Sequence, residues 1–214
     1  MSIDFVSTLR QDYREAPLLE EDAAIDPFEQ FERWFADAQR ADVREPNAMT
    51  LATVDRTGTP AARIVLLKGV RGGTFEFFTN YGSAKALELD GSGKAALCFW
   101  WAELARQVRI GGTVERVSRE RSAEYFASRP RGSQIGAWAS EQSTVISGRD
   151  VLEDRVRELE ERFANQDVPL PEFWGGYALS PSTFEFWQGQ SSRLHDRLRY
   201  TKSGHSWPRT RLSP

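Results

Sequence analysis

Between residues 48 and 117 the chain repeatedly sets short apolar runs between tight turn signals, and this pattern restricts the fold more than any other feature. "AMTLATV" leads into Arg56-Thr57-Gly58-Thr59, "AARIVLLKGV" leads into Arg71-Gly72-Gly73, and "TFEFFTN" follows; each run reads as a strand. A short helix fits 83–90, after which "AALCFWW" and "RQVRIGGTVERV" complete a set of about five strands. Strands joined by such short turns suggest an antiparallel barrel rather than βαβ units. The expected fold class is therefore mainly β, antiparallel and Greek-key-like, with flanking helices.

The helices announce themselves by their starts. Asp26 can cap, Pro27 suits a first helical position and Glu29 can close a capping box, while Phe28, Phe31, Trp34, Phe35 and Ala38 recur at helical spacing. Ser118 can cap a helix over roughly 119–127. Residues 148–164 carry Leu152, Val156, Leu159 and Phe163 on one stripe, with arginines and glutamates opposite, as core packing requires. The tail alternates again: "GGYALS", "TFEFWQG" and "RLHDRLRY" read as strands. Residues 1–25 are polar and acidic and read as a partly flexible arm. No linker divides 26–214, which reads as a single domain.

Composition narrows the function classes. The chain has 214 residues, 40% hydrophobic and 28% charged, which is ordinary for a globular protein able to bury a core without staples. A formal net charge of −3 excludes a globally basic nucleic-acid binder. Cys98 is the only cysteine, so no intrachain disulfide forms, and with two histidines it cannot build a Cys/His zinc cluster. No apolar run approaches a membrane span, and the N-terminus lacks the apolar stretch of a signal peptide. A cytoplasmic protein with no membrane partner and no metal is expected.

The candidate chemistry is cationic. On a strand, Arg193, His195, Arg197 and Arg199 line one face, with Leu194 and Leu198 opposite. Such a row is either a solvated outer face or the seat of an anionic ligand. Asp196 among them reads as a structural ion pair. Arg129-Pro130-Arg131-Gly132-Ser133 is a second basic cluster: arginine offers a planar fork to phosphate oxygens, glycine permits close backbone approach, and Ser133 can donate or cap a following helix. Arg63 and Lys68 stand at the two ends of "RIVLLK", nominally on opposite faces, and are either snorkelling surface residues or two reaches toward a ligand lying across the barrel. Gln107 shares a face with Arg109 and suits either a heterocycle or solvent. Trp138, Trp174 and Trp187 read as packing more readily than as ligand contacts. Ser-His-Asp, Gly-rich phosphate-loop and metal motifs are absent from the sequence, so these clusters suggest polyanionic small ligands and chemistry carried by a cofactor.

Nine strings occur in order: "NAMTLATVD", "RIVLLKG", "FFTNYGSAK", "RQVRIGGTVERVS", "SRPRGSQIGAWAS", "QS", "WGGYALSP", "EFWQG" and "SRLHDRLRY". From about residue 26 to the terminal "RLSP" the chain resembles the pyridoxamine/pyridoxine 5′-phosphate oxidase family, with "RPRGSQIGAW" and "EFWQG…RLHDR" the most specific stretches. The resemblance implies an FMN-binding split β-barrel acting as a homodimer, with two active sites at the subunit interface. It implies that Arg63, Ile64, Val65, Leu66, Leu67 and Lys68 run along FMN, with Lys68 also near the substrate. Phe78, Thr79, Lys85 and Gln107 would contact FMN from one subunit, and Gln142, Ser143, Trp187 and Arg197 from the other. Tyr125, Arg129 and Ser133 would hold the substrate phosphate. Arg193 and His195, the catalytic pair by resemblance, would flank the reacting pyridine ring, with Leu194 between them, and Arg10 and Tyr13 resemble a lid. Two positions depart from the family pattern: Ala84 stands where arginine commonly faces the FMN phosphate, and Phe78 where tyrosine is common. One lost charged contact weakens FMN by roughly 1.5–3 kcal/mol unless compensated.

The implied activity is oxidation of pyridoxamine or pyridoxine 5′-phosphate to pyridoxal 5′-phosphate by hydride transfer to FMN, with O2 as final acceptor and H2O2 as product. Two alternatives stand beside it. One is a related flavin oxidase of a phenazine-type substrate, which the intact "RPRGSQIGAW" argues against. The other is a non-catalytic carrier of FMN or pyridoxal phosphate, which the Arg193-His195 pair disfavours.

Overall fold

The computed structural model describes Asp12, Tyr13 and residues 16–214. The described residues contain nine strands and five α-helices. The strands form a mainly antiparallel sheet in the order β2 (Pro60–Leu66), β1 (Ala48–Val54), β5 (Lys94–Trp101), β6 (Arg106–Arg116), β7 (Trp174–Gln188), β4 (Thr74–Asn80) and β3 (Gly69–Arg71). Off this path β8 (Asp196–Thr201) pairs with β7, and β9 (Arg209–Arg211) pairs with β8. Two compact units emerge, one from segments within Met1–Met49, Leu97–Gly111 and Pro181–Pro214, the other from Thr50–Ala96 and Gly112–Ser180.

In the first unit the amphipathic helix α1 (Pro27–Arg40) buries Phe31, Trp34 and Ala38. Asp26 accepts from the Phe28 N–H as its cap, but Glu29 does not close a box; it pairs with Arg33 one turn on. Trp34 meets Phe186 edge-on at 5.3 Å and Phe31 lies 5.2 Å from Phe99, so large aromatics fill this core. Arg209 and Arg211 fasten the segment before the helix: Arg209 donates to the carbonyls of Glu20 and Ala23, and Arg211 to the Glu20 carboxylate and the Leu18 carbonyl.

The second unit carries α2 (Ala84–Ser92), α3 (Arg119–Ser128), α4 (Arg131–Ala139) and α5 (Asp150–Arg162). Ser118 caps α3 by accepting from the Arg121 N–H. Ser133 caps nothing, because α4 already begins at Arg131 and Pro130 is its N-cap. Phe126, Ile135, Phe163, Val168 and Trp174 form a buried cluster on which Val156 and Leu159 of α5 pack.

Three segments depart from the expected strands. "RIVLLK" is not one strand: β2 ends at Leu66, Leu67 and Lys68 lie beyond it, and the Lys68 N–H donates to the Glu76 carbonyl. The two runs "GGYALS" and "TFEFWQG" are one 15-residue strand, β7. "RLHDRLRY" begins as a strand only at Asp196; Ser191–Arg193 form a 3-10 turn with Ser192 at φ 55° and Arg193 at φ 63°. The alternation that aligned Arg193 and His195 with Arg197 and Arg199 therefore does not hold.

Candidate active site

A cavity of about 610 Å³ opens in the second unit. Ile64, Val65 and Leu66 from β2, Lys68 after it, and Phe78 and Thr79 from β4 form one wall; Tyr125, Arg129, Ser133 and Gln142 line it from α3, α4 and the loop after α4. Leu67 is buried instead of lining it. The tight turn between α3 and α4 explains part of this convergence: Arg129 leaves α3 in extended conformation as its C-cap, and Pro130 caps α4 at once, so Arg129 and Ser133 stay close in the chain at the same end of α4.

Cations dominate the wall. Lys85 donates to Thr79 Oγ1 (3.2 Å) and Gln142 Oε1 (3.1 Å), and Thr79 lies 3.0 Å from the same Gln142 oxygen. Burial pulls the Lys85 pKa down, neighbouring Arg63 pulls the same way, and Glu88 opposes them. Arg63 pairs with Glu88 at 2.8 Å and donates to Thr53. Ser143, at φ 74°, turns its hydroxyl to accept from the Ala84 N–H at 3.2 Å. Gln142 and Ser143 thus stand with Lys85 and Ala84 of the same chain, not on the opposite subunit as the resemblance implied. Asn80, which donates to the Ser140 carbonyl, holds that loop in place.

The Arg129 guanidinium is half-buried, it has no carboxylate or hydrogen-bond partner among the described residues, and its Nη1 is shielded from solvent. Burial pulls its pKa down, opposed by the nearby Tyr125. A desolvated guanidinium without a partner is costly unless a ligand supplies the anion. The donor set of Arg129, Lys68, Ser133 and Tyr125 on one side, and Lys85 with the hydroxyl of Thr79 on the other, suits a ligand or ligand pair with anionic ends and a planar apolar middle.

The first unit holds a second cluster. The Trp187 and His195 rings lie 4.6 Å apart at 44°, and the Tyr13 ring stands 6.0 Å from each. The Gln190 N–H donates to His195 Nδ1 at 3.1 Å. The neutral imidazole therefore carries its proton on Nε2 and presents a donor there. Burial lowers the His195 pKa and Arg193 lowers it further, against Asp196. Arg193 and Leu194 are exposed, Leu194 at 70%. Arg197 is held by Glu185 (2.9 Å) and donates to the Ser213 carbonyl. Asp196 is the expected ion-pair residue: it accepts from Arg211 at 2.6 Å and from the Leu18 N–H. Gln107 is half-buried on β6. Arg10 lies outside the described residues. The sequence reading missed Glu88 and Asn80; the only signal for Glu88 was its place three residues after Lys85 on one helix face.

Residues 35–163 match the family model described as pyridoxamine 5′-phosphate oxidase, and 174–214 match the pyridoxine 5′-phosphate oxidase C-terminal dimerisation region. The chain belongs to the pyridoxamine 5′-phosphate oxidase family. A pyridoxine/pyridoxamine 5′-phosphate oxidase of a Cyanothece species is 56% identical over 209 residues, covering 98% of both chains. One from Bordetella pertussis is 57% identical over 210 residues, covering 98% of this chain and 99% of the relative. The crystal structure of PhzG from Burkholderia lata, in complex with tetrahydrophenazine-1-carboxylic acid, superposes with a TM-score of 0.87 at 31% identity, covering 94% of this chain and 99% of that one. The fold is thus the family's split barrel, and its C-terminal part is a dimerisation region. Among the described residues no helix is long and apolar enough to cross a membrane.

Proposed function

We propose that the chain is an FMN-dependent oxidase that converts pyridoxamine 5′-phosphate and pyridoxine 5′-phosphate to pyridoxal 5′-phosphate, acting in the cytoplasm as a homodimer with shared active sites. The observation that carries this reading is Arg129: a half-buried guanidinium with no acid partner, beside Ser133 and Tyr125 in a cavity of about 610 Å³. Relatives at 56–57% identity bear that activity in their names, and the phenazine-type alternative rests on a structure at 31%.

FMN would be held by Lys85, Thr79, Gln142 and Ser143 with Arg63 behind them, its ring along Ile64, Val65 and Leu66, and Gln107, Trp187 and Arg197 would finish the site. When bound, FMN would supply the two-electron chemistry of the reaction, with O2 as final acceptor and H2O2 as product. The chain's own residues bind and orient. Arg129, Ser133, Tyr125 and Lys68 grip the substrate phosphate, and the planar fork of Arg129 matches two phosphate oxygens. His195 offers its Nε2–H to an electron-rich oxygen of the pyridine ring, and Arg193 supports negative charge that develops there. Tyr13, against Trp187 and His195, covers the ring from water, with Leu194 nearby.

The test is direct. Purified protein is yellow, retains FMN in stoichiometric amount and releases peroxide when given pyridoxamine 5′-phosphate, while a dihydrophenazine carboxylate turns over far more slowly. Arg193→Ala keeps the flavin and loses turnover by about a hundredfold or more; near-normal turnover removes Arg193 from the mechanism.

A further inference from the structure

Most arginine side chains of the second unit that line up with an acid do so closely: Arg63 with Glu88, Arg116 with Asp90 and Arg121 with Glu76 are all ion pairs of 2.8 Å or less. Arg129 has no such partner, yet it keeps a defined place. Its guanidinium carbon lies 4.6 Å over the Trp174 ring centroid and 5.7 Å from that of Phe126. Trp174 is itself fixed: it is buried, and its ring stacks with Phe78 at 5.6 Å and 16° and with Tyr125 at 6.2 Å and 14°. Phe78 in turn stacks on Tyr125 at 4.1 Å.

We infer that Trp174 is a positioning residue for phosphate recognition, its indole face holding the Arg129 guanidinium where Arg63, Arg116 and Arg121 of this unit are held by carboxylates. The distinction matters physically. A carboxylate beside Arg129 would place a negative charge against the incoming phosphate and spend the donors that the phosphate needs. An aromatic face fixes the guanidinium through the ring quadrupole, covers one face of its plane, and leaves its in-plane N–H donors and its full charge available. Burial beside tryptophan also removes water that competes for those donors. Through Phe78 the same ring backs Tyr125, so one indole orders both an arginine and a phenol of the cavity wall. This inference rests on the reading that Arg129 binds the substrate phosphate.

The experiment uses the full-length, flavin-loaded dimer and three variants, Trp174→Phe, Trp174→Leu and Arg129→Ala. Steady-state KM and kcat are measured with pyridoxine 5′-phosphate, and dissociation constants with pyridoxal 5′-phosphate and with unphosphorylated pyridoxal. Trp174→Leu raises the KM and weakens pyridoxal 5′-phosphate binding by about five- to thirtyfold, the span of a desolvated cation–π contact. It changes kcat and pyridoxal binding by less than about twofold, since neither depends on the phosphate grip. Trp174→Phe keeps an aromatic face and shows a smaller loss of the same kind, confined to the phosphorylated ligand. If Trp174→Leu does not fold, the Phe variant decides alone: unchanged pyridoxal 5′-phosphate affinity, or an equal loss for pyridoxal, overturns the inference. Equal losses for both ligands with a lowered melting temperature identify plain core packing and also overturn it. Should Arg129→Ala leave the KM unchanged, the phosphate assignment itself falls; should Arg129→Ala raise it while both Trp174 variants behave as wild type, only the role of Trp174 falls.

Discussion

Gln190 decides which nitrogen of His195 carries a proton, because its backbone N–H occupies Nδ1. Burial and the neighbouring Arg193 add to this by disfavouring the imidazolium. The ring is therefore a neutral Nε2–H donor at neutral pH, titrating below the ordinary histidine value near 6.5. A depressed folded value means that the stability His195 contributes is complete above pH 6.5 and is lost as pH falls through the lower, folded value. With two histidines in the chain, the imidazole signals in a proton NMR titration are readily assigned by deleting His205. The expected result is a His195 midpoint below 6.5 that moves upward in Arg193→Ala; a midpoint at or above 6.5 removes the neutral-donor role. Ala84 offers a second single-residue test. It is exposed at the start of α2, next to Ser143 and Lys85. Restoring the arginine common in the family adds one charged donor, so Ala84→Arg tightens FMN by about tenfold or more, read by flavin fluorescence quenching. Unchanged affinity shows that Lys85 and Arg63 already saturate that phosphate.

Strand β7 does two jobs along its length, and this explains both its glycines and its misreading. Its first part pairs antiparallel with β4, Phe78 opposite Gly176 and Thr79 opposite Gly175, while its second part pairs with β8, Trp187 opposite Arg197. A methyl group on Gly176 would meet the Phe78 ring and Val117 Cγ2, each at 2.7 Å. The Phe78 ring is not free to yield, since it is stacked on Tyr125. Gly176→Ala therefore destabilises the protein by about 1–3 kcal/mol and disturbs the Phe78 wall, so a thermal melt shows a lower midpoint together with weaker flavin retention. An unshifted melt refutes the close packing. The sequence carried the strand pattern of β1, β4, β5 and β6 in apolar alternation, and the starts of α1 and α3 in Asp26 and Ser118. It carried the cavity residues in strings such as "RPRGSQIGAW". "GGYALS" and "TFEFWQG" read as two strands, yet β7 runs unbroken through Ser180 and Pro181 between them, although proline cannot donate to a strand ladder. Arg193 and His195 looked like strand residues because alternation in "RLHDRLRY" is genuine from Asp196 onward; positive φ angles at Ser192 and Arg193 belong to a turn that hydrogen bonds from Gln190 and Leu194 close, and no residue type there signals it.

The chain as a whole keeps its two cationic clusters in separate compact units, Arg129 and Lys85 in one, Arg193 and His195 in the other. A C-terminal dimerisation region spans 174–214 and so includes Arg193 and His195. If each active site draws the phosphate grip from one subunit and the Arg193–His195 pair from its partner, two differently damaged chains can repair each other. Arg129→Ala and Arg193→Ala homodimers each carry two defective sites. A mixed dimer carries one site with both defects and one with neither. Equal amounts of the two variants, unfolded together and refolded with FMN, give mixed dimers as about half the population, and hence about a quarter of wild-type activity. The same variants refolded apart and then combined stay near their own low rates. Peroxide release per flavin is the readout, with sedimentation confirming that both preparations are dimers. Recovery limited to the sum of the separate variants would mean that each site is built within a single subunit, and would leave the dimer a matter of stability alone.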